Sequence, residues 1–138
     1  MNNSYELNLD DLNVLVDDLV SFVDDKDYIV ILRGDLASGK TTLVKKFVKT
    51  LGYADIVTSP TFSLQSIYND KIYHYDVYNK TLEEFISLGM LEEFEKEGIH
   101  FIEWGDNKLQ EILEDYGYEV IVINIEKSNN KRTYKIES

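Results

Sequence analysis

The stretch IVILRGDLASGKTT, residues 29–42, decides how the rest of the chain is interpreted. Its first four residues, Ile29–Leu32, are apolar and mostly β-branched, which predicts a strand buried on both faces. A glycine-rich turn follows, and the segment after it, Lys40–Leu51, carries apolar side chains at helical spacing. Buried strands of this kind belong to parallel sheets that are covered by helices. The stretch therefore predicts an α/β fold, a mixed sheet with parallel core strands and flanking helices.

The turn itself, Gly34–Thr41, matches the phosphate-loop pattern G-x-x-x-x-G-K-S/T. Glycines let backbone N–H groups curl around phosphate oxygens, and the helix that follows directs the positive end of its dipole at the anion. The pattern predicts that Lys40 reaches the β- and γ-phosphates and that the Thr41 hydroxyl ligates Mg²⁺. The alternative is an ordinary glycine-rich turn with an exposed lysine. The predicted nucleotide-binding residues are Gly34, Asp35, Leu36, Ala37, Ser38, Gly39, Lys40, Thr41 and Thr42.

The distribution of charge also favours an anion at this place. The chain has 138 residues and a formal net charge of -12, yet residues 29–51 hold Arg33 and four lysines against a single acid. The overall charge argues against the chain gripping nucleic acid by itself, because phosphate contacts need clustered Lys and Arg. The absence of cysteine excludes thiol catalysis and Cys-ligated metal sites. No apolar run approaches a membrane span, so we expect a soluble cytoplasmic protein without membrane contact.

Periodicity along the rest of the chain predicts one domain, residues 1–138, with no repeat and no linker. The first helix is expected to open at Asp10 and to end at Val23, and no element is predicted before it. The further predictions are a strand pair over 62–68 and 71–78, a helix over 82–96 with a break near Gly89, a strand over 99–104, a short helix over 107–116, and a strand pair over 118–125 and 133–136.

Two acids that close predicted strands are candidates for holding Mg²⁺ or its waters. Asp76 ends one strand and Glu103 ends another, and acids at the carboxyl ends of strands near a phosphate loop commonly serve the metal. Either acid could instead cap a helix or face water. Thr61, in a Thr-Ser-Pro-Thr stretch after the phosphate-loop helix, could bind Mg²⁺ beside the γ-phosphate, or belong to a simple turn.

Three further side chains are of interest, and two of them have a simpler structural interpretation. His74 alternates in phase with Asp76, but a buried structural histidine is the plainer interpretation. Trp104 could stack on a nucleotide or a partner, although a lone tryptophan is usually part of the core. Arg132 precedes the last predicted strand, on a turn that we expect to need a partner to fix it.

Five segments taken together resemble the TsaE family, small P-loop ATPases of bacterial tRNA threonylcarbamoyladenosine biosynthesis. The segments are GDL at 34–36, GKTT at 39–42, SPTF at 59–62, HYDVY at 74–78 and IEW at 102–104. The resemblance covers essentially the whole chain, in the right order and spacing. It implies that Thr41 and Glu103 hold Mg²⁺ and that Asp76 and Thr61 act with Lys40 near the γ-phosphate. It also implies that Trp104 and Arg132 contact the nucleotide.

The same resemblance implies an ATPase that is weak alone and works with two partner proteins. These are TsaD, which transfers the threonylcarbamoyl group to tRNA, and TsaB, its scaffold. The resemblance therefore implies that this chain contacts tRNA only indirectly. The chain departs from the family pattern at Ala37, Asn79 and Gly105, where glycine, arginine and proline are usual. The alternatives are a small-molecule P-loop kinase and a non-hydrolysing nucleotide-gated adaptor.

Overall fold

A computed structural model of the protein describes residues 1–35, 37–60 and 64–138. The described strands are β1 (Asn3–Leu7), β2 (Tyr28–Arg33), β3 (Gln65–Tyr68), β4 (Ile72–Asp76), β5 (Ile99–Glu103), β6 (Val120–Ser128) and β7 (Lys131–Glu137). A 3-10 turn spans Leu9–Asp11, and the described helices are α1 (Asn13–Val23), α2 (Lys40–Thr50), α3 (Leu82–Ser87), α4 (Met90–Glu93) and α5 (Asn107–Asp115).

The strands form one sheet in the order β1-β7-β6-β2-β5-β4-β3. At its centre β2 runs parallel to both β5 and β6, and β4 runs parallel to β5. The pairs toward the edges, β1 with β7, β6 with β7 and β3 with β4, are antiparallel. The predicted mixed sheet with parallel core strands is confirmed.

Helices cover both faces of the sheet, as the apolar run in β2 requires. Val30 and Leu32 pack with α1 and α2 on one face, while Ile29 and Ile31 pack with α3, α4 and α5 on the other. Successive side chains of a strand point to opposite faces, so each of these residues contacts its own helical layer. Every residue of β4 and β5 is buried as well.

Several element bounds differ from the sequence-based prediction. The first strand, β1, was not predicted, because its five residues are mostly exposed and it holds the edge of the sheet by pairing with β7. The first α-helix begins at Asn13 rather than Asp10, since the turn before it is a 3-10 helix. The expected break near Gly89 is confirmed, with that glycine in the left-handed region at φ +74 between α3 and α4.

None of the helices in the described ranges combines the length and the apolar character that crossing a bilayer requires.

Candidate functional site

The sheet topology brings the sequence-predicted acids to the phosphate loop. Because β2, β5 and β4 are parallel neighbours, their carboxyl ends lie at the same edge of the sheet. The register pairs Leu32 of β2 with Glu103 of β5, and Glu103 with Asp76 of β4. The loop that follows β2 therefore emerges beside both carboxylates, at the edge where open α/β sheets bind their ligands.

The loop backbone needs residues with little or no side chain. A Cβ on Gly34 would lie 2.5 Å from the Ser38 hydroxyl oxygen and 2.6 Å from the Ile125 carbonyl oxygen, so only glycine fits there. Gly39, the residue before α2, has φ +107, which favours glycine. Ala37 has φ +62, a conformation that costs an L-residue about 1 kcal/mol or more and that explains why glycine is the usual family residue at this position.

Lys40, the first residue of α2, is folded back into its own loop. Its ammonium donates to the carbonyl oxygens of Gly34 at 2.7 Å and Asp35 at 3.0 Å. The same nitrogen lies 3.9 Å from the centre of the Trp104 ring, a cation–π contact. Trp104 makes this contact from the turn after β5, with φ +71.

Two opposing influences act on the Lys40 ammonium. Burial lowers its pKa from the ordinary value, and the carboxylates of Glu103, Asp76 and Asp35 oppose that shift. Burial is the larger influence, so the pKa of this lysine, which is only 5% exposed, is lowered despite the three carboxylates. A largely buried ammonium beside a phosphate loop is suited to bind an anion.

Glu103 is the centre of a chain of hydrogen bonds and is itself only 3% exposed. The Thr41 hydroxyl donates to Glu103 Oε2 at 2.7 Å, and Nε2 of His74 lies 2.5 Å from the same oxygen. Behind it, the Tyr68 hydroxyl lies 2.9 Å from Nδ1 of His74. A hydroxyl and a carboxylate are hard oxygen ligands, which is the donor set that Mg²⁺ prefers.

Across the described ranges, no group of three or more His, Cys, Asp or Glu side chains could hold a metal by itself. Mg²⁺ typically takes only one or two protein ligands and completes its shell with phosphate oxygens and water. Thr41 and Glu103 fit this manner of binding.

Asp76 connects the site to the loop that follows α2. Its Oδ1 accepts the backbone N–H of Tyr78 at 2.9 Å, and its Oδ2 accepts the Ser59 hydroxyl at 3.1 Å. The carboxylate is 6% exposed and lies beside Glu103 on the neighbouring strand. Thr61, predicted to lie near the γ-phosphate, falls outside the described residues, as does Leu36.

The two arginines occupy different places. Arg33 donates to the carbonyl oxygen of Gly105 and to the side chain of Gln110, both at 2.8 Å, so it is bound away from the phosphate loop. Arg132 lies over Gly39, with Nη2 3.5 Å from the Ala37 carbonyl oxygen.

Arg132 is also more firmly placed than the sequence suggested. It is the second residue of β7, paired with Lys127 of β6 on one side and with Leu7 of β1 on the other, so it does not sit on a turn. Its Nε is buried without a hydrogen-bond partner among the described residues. A buried guanidinium N–H without a partner, beside a phosphate loop, is suited to donate a hydrogen bond to an anion.

A cleft of about 590 Å³ gathers most of the predicted side chains. Its lining includes loop residues 37 and 39–42 together with Asp76, Glu103, Trp104 and Arg132. The other described loop residues, Gly34, Asp35 and Ser38, line a separate cavity of about 570 Å³ beside β6. The predicted loop residues thus face two sides of the turn.

His74 and Tyr68 were not predicted as parts of the site. The in-phase spacing of His74 and Asp76 was a usable signal, because two side chains on one face of a strand share their surroundings. The sequence contains no signal that would place Tyr68 at the site, because its contact with His74 depends on the register of β3 against β4.

Comparisons with known proteins agree with the geometry. The family model described as "Threonylcarbamoyl adenosine biosynthesis protein TsaE" matches residues 8–135. Proteins named tRNA threonylcarbamoyladenosine biosynthesis protein TsaE are similar to the chain in several bacteria. The Treponema pallidum relative is 40% identical over 89 residues, 62% of this chain and 66% of the relative. The Bacillus subtilis relative is 43% identical over 79 residues, 55% and 49% of the two chains.

The Haemophilus influenzae relative is 34% identical over 116 residues, 81% of this chain and 71% of the relative. The matches thus span between about half and seven tenths of these relatives' own length. Among solved structures, the crystal structure of Bacillus subtilis YdiB aligns with a TM-score of 0.64 and 26% identity. That alignment covers 99% of this chain and 86% of the YdiB chain.

Proposed function

The chain belongs to the TsaE family, and we propose that it is a P-loop ATPase that binds ATP with Mg²⁺ and serves tRNA threonylcarbamoyladenosine biosynthesis. One observation carries the proposal: Lys40, Thr41, Asp76 and Glu103 all line one cleft at the carboxyl ends of the parallel strands. The names of the relatives support the pathway.

Binding of the triphosphate is assigned to the phosphate loop and Lys40. The Lys40 ammonium exchanges the carbonyl oxygens of Gly34 and Asp35 for the β- and γ-phosphates, while loop N–H groups bind the remaining phosphate oxygens. Trp104 forms one wall of the cleft beside this ammonium. A charge that is 5% exposed acts on the phosphates with little screening by solvent.

Metal binding is assigned to Thr41 and Glu103. When bound there, Mg²⁺ neutralises charge on the β- and γ-phosphate oxygens. Thr41, whose hydroxyl is hydrogen-bonded to Glu103, would be one ligand of the metal, and the Glu103 carboxylate would hold the metal or one of its waters.

Hydrolysis is assigned to Asp76, with Thr61 beside the γ-phosphate. Asp76 faces the cleft from the strand next to Glu103 and is placed to orient the attacking water. Arg132, which lies over Gly39, is the candidate for the positive charge that the transition state needs. Asn79, which stands where the family has arginine, lines the same cleft without a charge.

We assign the partners by the family resemblance, as TsaD and TsaB. A formal net charge of -12 favours tRNA contacts made by those partners rather than by this chain. A small-molecule kinase has less support, because such enzymes clamp donor and acceptor with several arginines. This chain has two, and Arg33 is bound to Gly105 and Gln110.

The proposal is tested with Lys40→Ala and its matched control Lys45→Ala, an exposed lysine of the same helix. Both variants and the wild type are assayed for ADP release and for binding of an ATP analogue. We expect Lys40→Ala to lose about 10²-fold or more of the hydrolysis rate, because it deletes charge stabilisation at the phosphates. Lys45→Ala should match the wild type.

Retained hydrolysis in a folded Lys40→Ala protein would contradict the site assignment. An ADP burst that depends on an added small-molecule acceptor would favour the kinase, and ATP binding without hydrolysis under any condition would favour the adaptor.

A further inference from the structure

A hydrogen-bond chain runs from Tyr68 through His74 to Glu103, and the proposed mechanism uses Glu103 but neither Tyr68 nor His74. Its three side chains are 3%, 0% and 3% exposed, so the chain runs through the core and ends at the cleft. We propose that His74 and Tyr68 are positioning residues that hold the Glu103 carboxylate in the orientation in which it serves Mg²⁺. The inference rests on the proposed function, because it concerns the metal assigned to Glu103.

The sheet explains how these three side chains come together. The strand of His74, β4, lies between β3, which carries Tyr68, and β5, which ends at Glu103. The register pairs His74 with Ser66 on one side and with Phe101 on the other, so the imidazole spans from one neighbouring strand to the next.

The hydrogen positions follow from what each group can donate. The Glu103 carboxylate only accepts, so the proton between it and the ring sits on Nε2 of His74. When the ring is neutral, Nδ1 then carries a lone pair, and the Tyr68 hydroxyl at 2.9 Å is its donor; the other acceptor of that hydroxyl, the Thr58 carbonyl oxygen, is farther away at 3.4 Å. Burial raises the pKa of Tyr68, so the hydroxyl keeps its proton.

The effect on Glu103 is to fix one oxygen of a carboxylate that lines the cleft. Thr41 and His74 both bind Oε2. When Thr41 turns to the metal, His74 remains as the hydrogen bond that orients the carboxylate. Partners of this kind, behind a ligand, are commonly worth 10–100-fold in metal affinity.

A second tyrosine–histidine pair, Tyr75 of β4 and His100 of β5, provides an internal control. The Tyr75 hydroxyl lies 2.7 Å from Nδ1 of His100, but Nε2 of His100 lies 2.8 Å from the Lys96 backbone carbonyl oxygen. Among the described residues, that pair is hydrogen-bonded to the Lys96 backbone at one end and to the Gln65 side chain at the other, and neither lines the cleft. It is as buried as the first pair, with Tyr75 0% and His100 2% exposed.

The experiment measures equilibrium binding of a fluorescent non-hydrolysable ATP analogue as a function of Mg²⁺ concentration, and again in EDTA. The variants are His74→Leu, His74→Gln, Tyr68→Phe and Glu103→Gln, with Tyr75→Phe as the control for loss of a buried tyrosine hydroxyl. Thermal melting is recorded for each variant.

We expect His74→Leu to raise the Mg²⁺ concentration for half-maximal binding about tenfold or more and to leave binding in EDTA unchanged. His74→Gln should recover most of that loss, because its amide N–H can replace Nε2–H. Tyr68→Phe should raise the midpoint about threefold, less than the 10–100-fold typical of a direct partner, because Tyr68 acts on Glu103 only through His74. Tyr75→Phe should leave the midpoint unchanged, although its melting temperature falls as much as that of Tyr68→Phe.

If Glu103→Gln raises the Mg²⁺ midpoint and neither His74→Leu nor Tyr68→Phe does, the positioning role is wrong and the proposed function stands. Should His74→Leu fail to fold, equal midpoints for Tyr68→Phe and Tyr75→Phe would overturn the inference just as well. Failure of the wild type to bind the analogue would overturn the proposed function, and the inference with it.

Discussion

The carboxylates of Asp76 and Glu103 are neighbours on adjacent parallel strands, yet different partners hold them. Glu103 is bound by Thr41 and His74, whereas Asp76 binds the Ser59 hydroxyl and the backbone of Tyr78. The first arrangement suits a metal ligand that must keep one orientation. The second places an acid between the strand end and the loop after α2. There it can orient water while it is hydrogen-bonded to Ser59 of the loop.

This difference predicts a specific phenotype for Asp76→Asn. The asparagine keeps a carbonyl oxygen for Tyr78 and a polar group for Ser59, so the fold should survive while the charge is lost. We expect kcat for ATP hydrolysis to fall about 10²-fold or more, the size of effect typical of a lost general base. The Mg²⁺ midpoint for analogue binding should stay close to that of the wild type.

The matched control is Asp115→Asn, an exposed acid at the end of α5. A kcat for Asp76→Asn equal to that of the control would show that Asp76 has only a structural role.

At the scale of elements, the loop after α2 is attached at several of its described residues. Asp55 accepts the Asn69 N–H at 3.3 Å, Val57 is buried in the core with α2, Thr58 accepts the Tyr68 hydroxyl at 3.4 Å, and Ser59 is hydrogen-bonded to Asp76. Ile56, among these residues, is nevertheless 87% exposed. A loop with this pattern can change its order with the state of the cleft and still stay attached.

We therefore predict that limited digestion with proteinase K cuts near Ile56 more slowly with a non-hydrolysable ATP analogue than with ADP. The γ-phosphate is expected to order the loop through Thr61. Cleavage near Tyr116, which is 65% exposed after α5, is the internal reference and should not change. Identical patterns with both nucleotides would indicate a static turn.

The elements that could be predicted are those with a strong local signal. The apolar run of β2 predicts the parallel centre, and the phosphate-loop pattern predicts residues 37 and 39–42 of the cleft lining. Asp76 and Glu103 are predicted from their places at strand ends. In contrast, β1 is five residues of mostly exposed sequence, and it exists because β7 offers an edge to pair with. A strand that depends on its partner in this way shows little pattern of alternating apolar residues in its own sequence.

At the scale of the whole molecule, the order of the strands in the sheet brings residues that are far apart in the sequence close together. Arg132 is close to the C-terminal end of the chain, yet β6 and β1 hold its strand so that the side chain lies over Gly39. The contact of Arg132 with the nucleotide is a prediction that rests on family resemblance alone. Its placement could not be predicted, because it depends on two strand registers, one of them with an unpredicted strand.

The position of Arg132 bears on how the chain is activated. An arginine at the γ-phosphate is worth about 10³–10⁵ in rate when it is correctly placed. Arg132 contacts the Ala37 carbonyl oxygen at 3.5 Å, which is a long hydrogen bond, and the family arginine is replaced by Asn79. We expect the isolated protein to hydrolyse ATP slowly, and partner binding to complete the placement of Arg132.

The most direct test of the account is the steady-state ATPase rate of the wild type, measured alone and with TsaD and TsaB. Arg132→Ala is measured in parallel, with Lys131→Ala as the control, since the ammonium of that exposed neighbour lies 3.8 Å from Glu6, which does not line the cleft. The account predicts a slow rate alone, a clear rise with both partners, loss of most of that rise in Arg132→Ala, and a normal rise in Lys131→Ala. A fast rate in the isolated protein that the partners leave unchanged would contradict it.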